Sequence, residues 1–187
     1  VALSTADFKT GLTIEYEGNV YQIIEFQHVK PGKGGAFVRS RLKNLMTGAT
    51  LEKTWRAGDK MDSAHVERRN VEFLYRDGDD LVLMDMSDYE QLTLPADQVG
   101  DAVKFLKDNT PVQTFTWKGQ LLNLELPQTM EYTVTQTDPG LRGDTAQGGS
   151  KPATIETGAT VTVPLFVEEG EKIRVDTRSG QYLERVK

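Results

Sequence analysis

The chain contains no cysteine and only two histidines, His28 and His65, which stand far apart in the sequence. Without thiols there is no disulfide, no thiolate zinc site and no cysteine nucleophile. Two separated imidazoles do not make a ligand set, so the sequence predicts neither a metal nor a cofactor. Long apolar runs are missing too, and nothing approaches the roughly 20 consecutive apolar residues of a membrane-crossing helix. No basic-then-apolar leader precedes Asp7, and these absences together predict a cytoplasmic protein that does not attach to membranes. Enzyme signatures are equally lacking: there is no GxSxG elbow, Walker A sequence, HExxH pair or dinucleotide fingerprint, which predicts a protein that is not an enzyme.

What remains is a 187-residue chain with 37% hydrophobic and 27% charged residues, the balance of a water-soluble globular protein. Its formal net charge is -6, unevenly spread: residues 1–64, 65–128 and 129–187 carry +2, -6 and -2. Only the first third is basic, and its excess lies in His28 to Lys43, HVKPGKGGAFVRSRLK, which holds Lys30, Lys33, Arg39, Arg41 and Lys43 and no acid. A basic finger on an acidic body points to a polyanionic target. At its centre Lys33 stands among Gly32, Gly34 and Gly35, with Pro31 stiffening the approach and no bulky neighbour to lie against. The bland alternative is a solvated strand face with a glycine-rich turn. The acidic middle third would be repelled by phosphate, so the ends of the molecule are expected to touch RNA more than the middle does.

Residues 8–26 alternate as strands do, broken by Glu17-Gly18-Asn19 into a hairpin. A second hairpin follows with the finger at its tip; on its return strand Phe37, Arg39, Arg41 and Lys43 share one face and Val38, Ser40 and Leu42 the other. Met46 to Thr50 forms a turn, Leu51 to Trp55 a strand, and the polar segment Lys60 to Asn70 reads as a domain boundary. In the middle third, strands at Asn70–Tyr75, Leu81–Met86 and Glu90–Leu94 precede one helix. Asp97 is its expected cap, and Val99, Ala102, Val103 and Leu106 are its apolar stripe. Strands at Val112–Trp117 and Leu121–Leu126 then complete a five-stranded barrel with a helix after its third strand, the pattern of an OB-fold. The last third opens with Glu131–Thr137, crosses a glycine-rich connection from Asp138 to Lys151, and continues with short strands at Thr154–Glu156, Ala159–Pro164, Lys172–Asp176 and Gln181–Val186. That connection reads as a binding loop or as simple flexible chain.

Lys33 could in principle form a Schiff base, but that use needs burial or a neighbouring cation to depress its pKa, and a glycine-flanked tip is wet. Contact with phosphate or ribose, or service as an accessible side chain for a modifying enzyme, suits it better.

Three stretches carry a resemblance that spans essentially the whole chain. The tip KPGKGGAFVR (30–39), the loop DPGLRGDT (138–145) and the run KPATIETGATVTVPLFVEEGEKIRVDTRSGQYLERV (151–186) resemble bacterial elongation factor P. The resemblance implies an all-β protein of three small barrels in an L shape. An SH3-like, KOW-type domain over 1–64 would be followed by OB-folds over 65–128, with one short helix, and over 129–187. It also implies a translation elongation factor that binds the ribosome between the P and E sites, touching both subunits, ribosomal RNA and the P-site peptidyl-tRNA. Such a factor stimulates peptide-bond formation at consecutive prolines. In that frame Lys33 is the functional tip, open to post-translational extension by a lysine-modifying enzyme, and Pro31, Gly32, Gly34 and Gly35 form its loop. Lys30, Arg39, Arg41 and Lys43 become candidates for contacting tRNA or ribosomal RNA. Gly143, Asp144 and Thr145 match a loop that works near the E-site codon, and a tRNA-shaped role implies a monomer. The competing expectation is a general RNA-binding or mRNA-regulatory module that uses the basic strand and not the tip.

Overall fold

The computed structural model describes residues 1–140 and 149–187, and their strands form three antiparallel sheets. The first sheet contains β1 (Ala2–Ser4), β2 (Thr13–Tyr16), β3 (Asn19–Val29), β4 (Phe37–Asn44), β5 (Thr50–Arg56) and β6 (Lys60–Ser63), in the order β1-β6-β2-β3-β4-β5. β2 and β3 are joined through Glu17 and Gly18, both at positive φ (49° and 76°), the mirror-image turn whose twist matches that of a hairpin. Alternation on β4 fixes its register. Val38, Ser40, Leu42 and Asn44 are buried while Arg39 and Arg41 are exposed, and a slip of one residue would bury the guanidinium groups. The core beneath is Phe8, Ile14, Tyr21, Ile23, Val38, Leu42, Trp55 and Met61.

The second sheet contains β7 (Val66–Asp77), β8 (Asp80–Met84), β9 (Gln91–Pro95), β10 (Thr110–Trp117) and β11 (Gln120–Glu125), ordered β11-β10-β7-β8-β9. The third contains β12 (Thr129–Thr137), β13 (Ser150–Ile155), β14 (Thr160–Pro164), β15 (Lys172–Asp176) and β16 (Tyr182–Val186), ordered β14-β13-β12-β15-β16. In both, the first strand is central, with strands two and three on one side and four and five on the other. The two sheets therefore repeat one topology, and the all-β expectation holds.

Within the segment Lys60 to Asn70, the first sheet ends with β6 at Ser63 and the second begins with β7 at Val66. Its polar residues face out while Met61 and Ala64 are buried, so little burial in sequence terms still supports paired strand. The short helix expected in the second unit is present, and it differs from the expectation only in its cap and its regularity. It is less regular than its apolar spacing suggests. One α turn, α1 (Ala96–Val99), gives way at Gly100 (φ 76°) to 3-10 turns over Gly100–Phe105, and Pro95, not Asp97, occupies the position before the first turn. A residue at positive φ cannot continue a right-handed helix. Among the described residues, no helix is long and apolar enough to cross a membrane.

The sheets share apolar clusters. Val20 and Leu45 of the first unit pack with Ala64, Phe115 and Leu122 of the junction and second sheet. The second and third sheets contribute to one continuous core, where buried Tyr132 donates its hydroxyl to the Phe105 carbonyl at 2.5 Å. Burial pushes the Tyr132 phenol above its ordinary range, which keeps it a donor at every physiological pH.

Candidate functional site

β3 and β4 pair from Tyr21↔Asn44 to Val29↔Phe37, and the chain between them, Lys30 to Ala36, forms no strand. β5 pairs with the whole outer edge of β4 up to Phe37↔Arg56, and Ala57 donates a backbone hydrogen bond to Ala36 at 3.1 Å. The basic stretch is thus less of a finger than its composition implies. Residues 37–43 lie inside a sheet, and only the loop projects.

Lys30, Gly32, Lys33, Gly34, Gly35 and Ala36 are all exposed, and Pro31 is half-buried. Gly34 has φ 106°, a conformation that L side chains rarely adopt, and Pro31 Cγ would lie 3.9 Å from a Cβ there. Gly32 and Gly35 have ordinary φ, and a Cβ on either would meet nothing within 4 Å. The free fold therefore requires glycine at 34 and not at 32 or 35. Among the described residues, Lys33 makes no hydrogen bond or ion pair to the rest of the chain.

The loop is held from behind by a polar anchor within the core. Ser40, facing inward between Val38 and Leu42, accepts a hydrogen bond from Trp55 Nε1 (2.8 Å) and donates to the Lys53 carbonyl (2.9 Å). Trp55 in turn meets Phe8 and Tyr16 edge-on at ring distances of 5.8 and 5.1 Å. Lys53, which composition alone did not single out, lays its ammonium over Tyr16 and Trp55 at 4.6 and 4.5 Å. Pairing of aromatic rings with a cation is favourable by about 1 kcal/mol where partly desolvated.

The cationic stripe is less uniform than its sequence. Arg39 stacks on Phe37 at 5.4 Å and faces Gln27 and Thr54 across the neighbouring strands. Arg41 stands between two acids, Glu25 on β3 and Glu52 on β5, with Nη1 3.9 Å from the Glu25 carboxylate. Lys43 is half-buried and its ammonium lies 3.7 Å from Glu125 of the second sheet. Cross-strand register brings these acids to a stretch that contains none, so Arg39 is the strand cation left most available. The candidates Gly143, Asp144 and Thr145 lie outside the described residues. Lys151, counted in sequence with the connecting loop, is buried and donates its ammonium to the Asp138 carbonyl. Among the described residues, no cluster of His, Asp or Glu could hold a metal ion.

Comparison with known proteins matches the whole organisation. Residues 4–61 fit the elongation factor P (EF-P) KOW-like domain, residues 66–124 the elongation factor P (EF-P) OB domain, and residues 130–185 the elongation factor P C-terminal model. Elongation factor P of Pelotomaculum thermopropionicum is 57% identical over 184 residues, 98% of this chain and 100% of that protein. The Carboxydothermus hydrogenoformans elongation factor P is 56% identical over the same shares. Among solved structures, eukaryotic translation initiation factor 5A from Methanococcus jannaschii is similar with a TM-score of 0.50 at 23% identity. The match covers 68% of this chain and 92% of that one, a likeness of fold alone. On these matches the chain belongs to the elongation factor P family, whose members are non-enzymatic translation elongation factors.

Proposed function

We propose that this chain works on the ribosome as a monomer, between the P and E sites, and stimulates peptide-bond formation at consecutive prolines by positioning the P-site tRNA through Lys33. The observation that carries this reading is the loop itself: an exposed lysine with no partner among the described residues, on a glycine-rich tip whose base is braced by a full sheet. Such a side chain is free to engage phosphate or ribose, or to receive an extension from a lysine-modifying enzyme. Proline is a poor nucleophile in peptide transfer because its ring restricts alignment, and holding the tRNA end in a productive geometry lowers that entropic barrier. The factor supplies position and charge, and ribosomal RNA does the chemistry.

In this reading units 1–64, 65–128 and 129–187 act as three domains in the cytoplasm, and Lys30, Arg39 and Arg41 add electrostatic grip on tRNA or ribosomal RNA. Lys43 contributes from a position already engaged with Glu125. Gly143, Asp144 and Thr145 serve near the E-site codon. Gly32 and Gly35, which the free fold does not require, are explained if the loop passes close to RNA, where a Cβ would collide. The test is a reconstituted translation assay: Lys33→Ala reduces Pro-Pro-Pro synthesis to the factor-free level while the protein stays folded. Full stimulation by that variant would refute the proposal. The competing reading, RNA binding through the β4 stripe alone, is favoured by the availability of Arg39. It expects Arg39→Ala to weaken RNA binding with a reduced salt slope and Lys33→Ala to have no effect.

A further inference from the structure

Glu125 is the last residue of β11 and stands where the three sheets meet. Its Oε1 lies 2.7 Å from Arg178 Nη2, on the turn after β15, and 3.7 Å from Lys43 Nζ, on β4. One carboxylate oxygen therefore faces a cation from the first sheet and another from the third. Only Leu126, Pro127 and Gln128 separate Glu125 from β12, so it also ends the second sheet just before the chain passes to the third.

The turn that presents Arg178 is firmly built. Asp176 accepts backbone hydrogen bonds from Arg178 (2.8 Å) and Ser179 (3.1 Å), and Thr177 donates its hydroxyl to the Pro127 carbonyl (2.6 Å). Arg41, Lys43, Glu125 and Arg178 line a cleft of about 710 Å³ to which all three sheets contribute. Among the described residues, no hydrogen bond or ion pair joins the first sheet directly to the third. The Glu125 carboxylate is the polar group that touches both.

We propose that Glu125 is a positioning residue that ties the strand behind the Lys33 loop to the third sheet and thereby sets the direction in which Lys33 points. The inference rests on Lys33 being the acting group. Ion pairs of this exposure are too weak to hold the fold together, and the apolar clusters do that. A bias of a few fold on the relative orientation of two sheets is within their reach. Loss of the carboxylate charge lowers the fraction of molecules in the competent arrangement, and apparent affinity for the ribosome falls in the same proportion.

Glu125→Gln keeps the size of the side chain and removes its charge. Because the chain has no cysteine, Thr54→Cys on β5 and Thr162→Cys on β14, both exposed, accept spin labels for distance measurement across the joint. The expected result is a narrow distance distribution at low salt that widens in Glu125→Gln. Added KCl near 1 M widens the parent distribution and leaves that of Glu125→Gln unchanged. In Pro-Pro-Pro synthesis, Glu125→Gln raises the factor concentration for half-maximal stimulation about fivefold, with the maximal rate and thermal midpoint unchanged. A merely structural role would move the midpoint instead. Identical distance distributions, or a widened distribution with an unchanged half-maximal concentration, overturn the proposal. Full activity of Lys33→Ala would remove the functional reading beneath it, while the distance comparison would still decide whether Glu125 holds the sheets.

Discussion

The loop from Lys30 to Ala36 and the joint around Glu125 differ in nearly every physical respect. In the loop only Pro31 is even half-buried, and the space around Gly32 and Gly35 is open. At the joint, Leu122 has no exposed surface, Leu45 and Phe115 pack beside it, and Asn123 donates to the Gln98 carbonyl at 3.1 Å. The loop contributes little to folding and is free to meet a partner, whereas the joint is committed to the fold and fixes where the loop is carried. Action through Lys33, as proposed, calls for both: an exposed tip, and a body that gives the tip a direction.

Substitutions can break this contrast from either end. The largest stability effect is expected at the joint, where Leu122→Ala costs about 2–5 kcal/mol through lost burial and the cavity left behind. Denaturant unfolding measures it, and the same experiment on Lys33→Ala should show a change below about 0.5 kcal/mol. Next comes Tyr132→Phe, which leaves the Phe105 carbonyl without its partner in the shared core of the second and third sheets. Removal of a buried donor of this kind costs about 1–3 kcal/mol. Within the loop, Gly34→Ala is strained by about 1 kcal/mol because of its positive φ, whereas Gly35→Ala leaves the unfolding midpoint unchanged. A loss of ribosomal activity in Gly35→Ala without loss of stability would localise the close approach to the partner.

Smaller effects separate the two stripe arginines. Arg39→Ala should weaken RNA binding and lower the salt slope by about 1, while Arg41→Ala, already flanked by Glu25 and Glu52, should do less. Equal effects would mean that register on the sheet does not tune these cations. The weakest lever is acidity. Backbone N–H groups of Ser179 and Arg178 hold the Asp176 carboxyl below its usual range. Its stabilisation is therefore complete above the ordinary carboxylate pKa near 4, and it fades as pH falls through the lowered folded value. Asp176→Asn should remove that part of the acid dependence, as thermal unfolding between mildly and strongly acidic buffers will show.

Much of this was legible in the chain because its cues are local. Glycines at hairpin turns, alternation on β4 and the isolation of Lys33 all follow from neighbours in sequence, and the stretch they mark is an exposed loop between β3 and β4. The differences have physical reasons. The apolar spacing of Val99, Ala102, Val103 and Leu106 suited a helix, but Gly100 at positive φ breaks it after one turn. The boundary segment has little to bury, and what it buries is split: Met61 enters the first cluster and Ala64 the one at the junction. Charge counting along the chain shows a stripe of cations with no acid within it. Pairing across strands and between sheets, which no periodicity encodes, brings Glu25, Glu52 and Glu125 to it. Family resemblance gave Lys33 its expected role but carries no information on Glu125, whose place emerges only when three sheets are assembled.

The most direct test of the tip lysine's role is the maximal rate of Pro-Pro-Pro synthesis at saturating Lys33→Ala, with its unfolding midpoint measured on the same preparation. A factor-free rate together with a parental midpoint is the predicted result. A parental rate would contradict the claim that the exposed tip lysine is the group the rest of the molecule exists to aim.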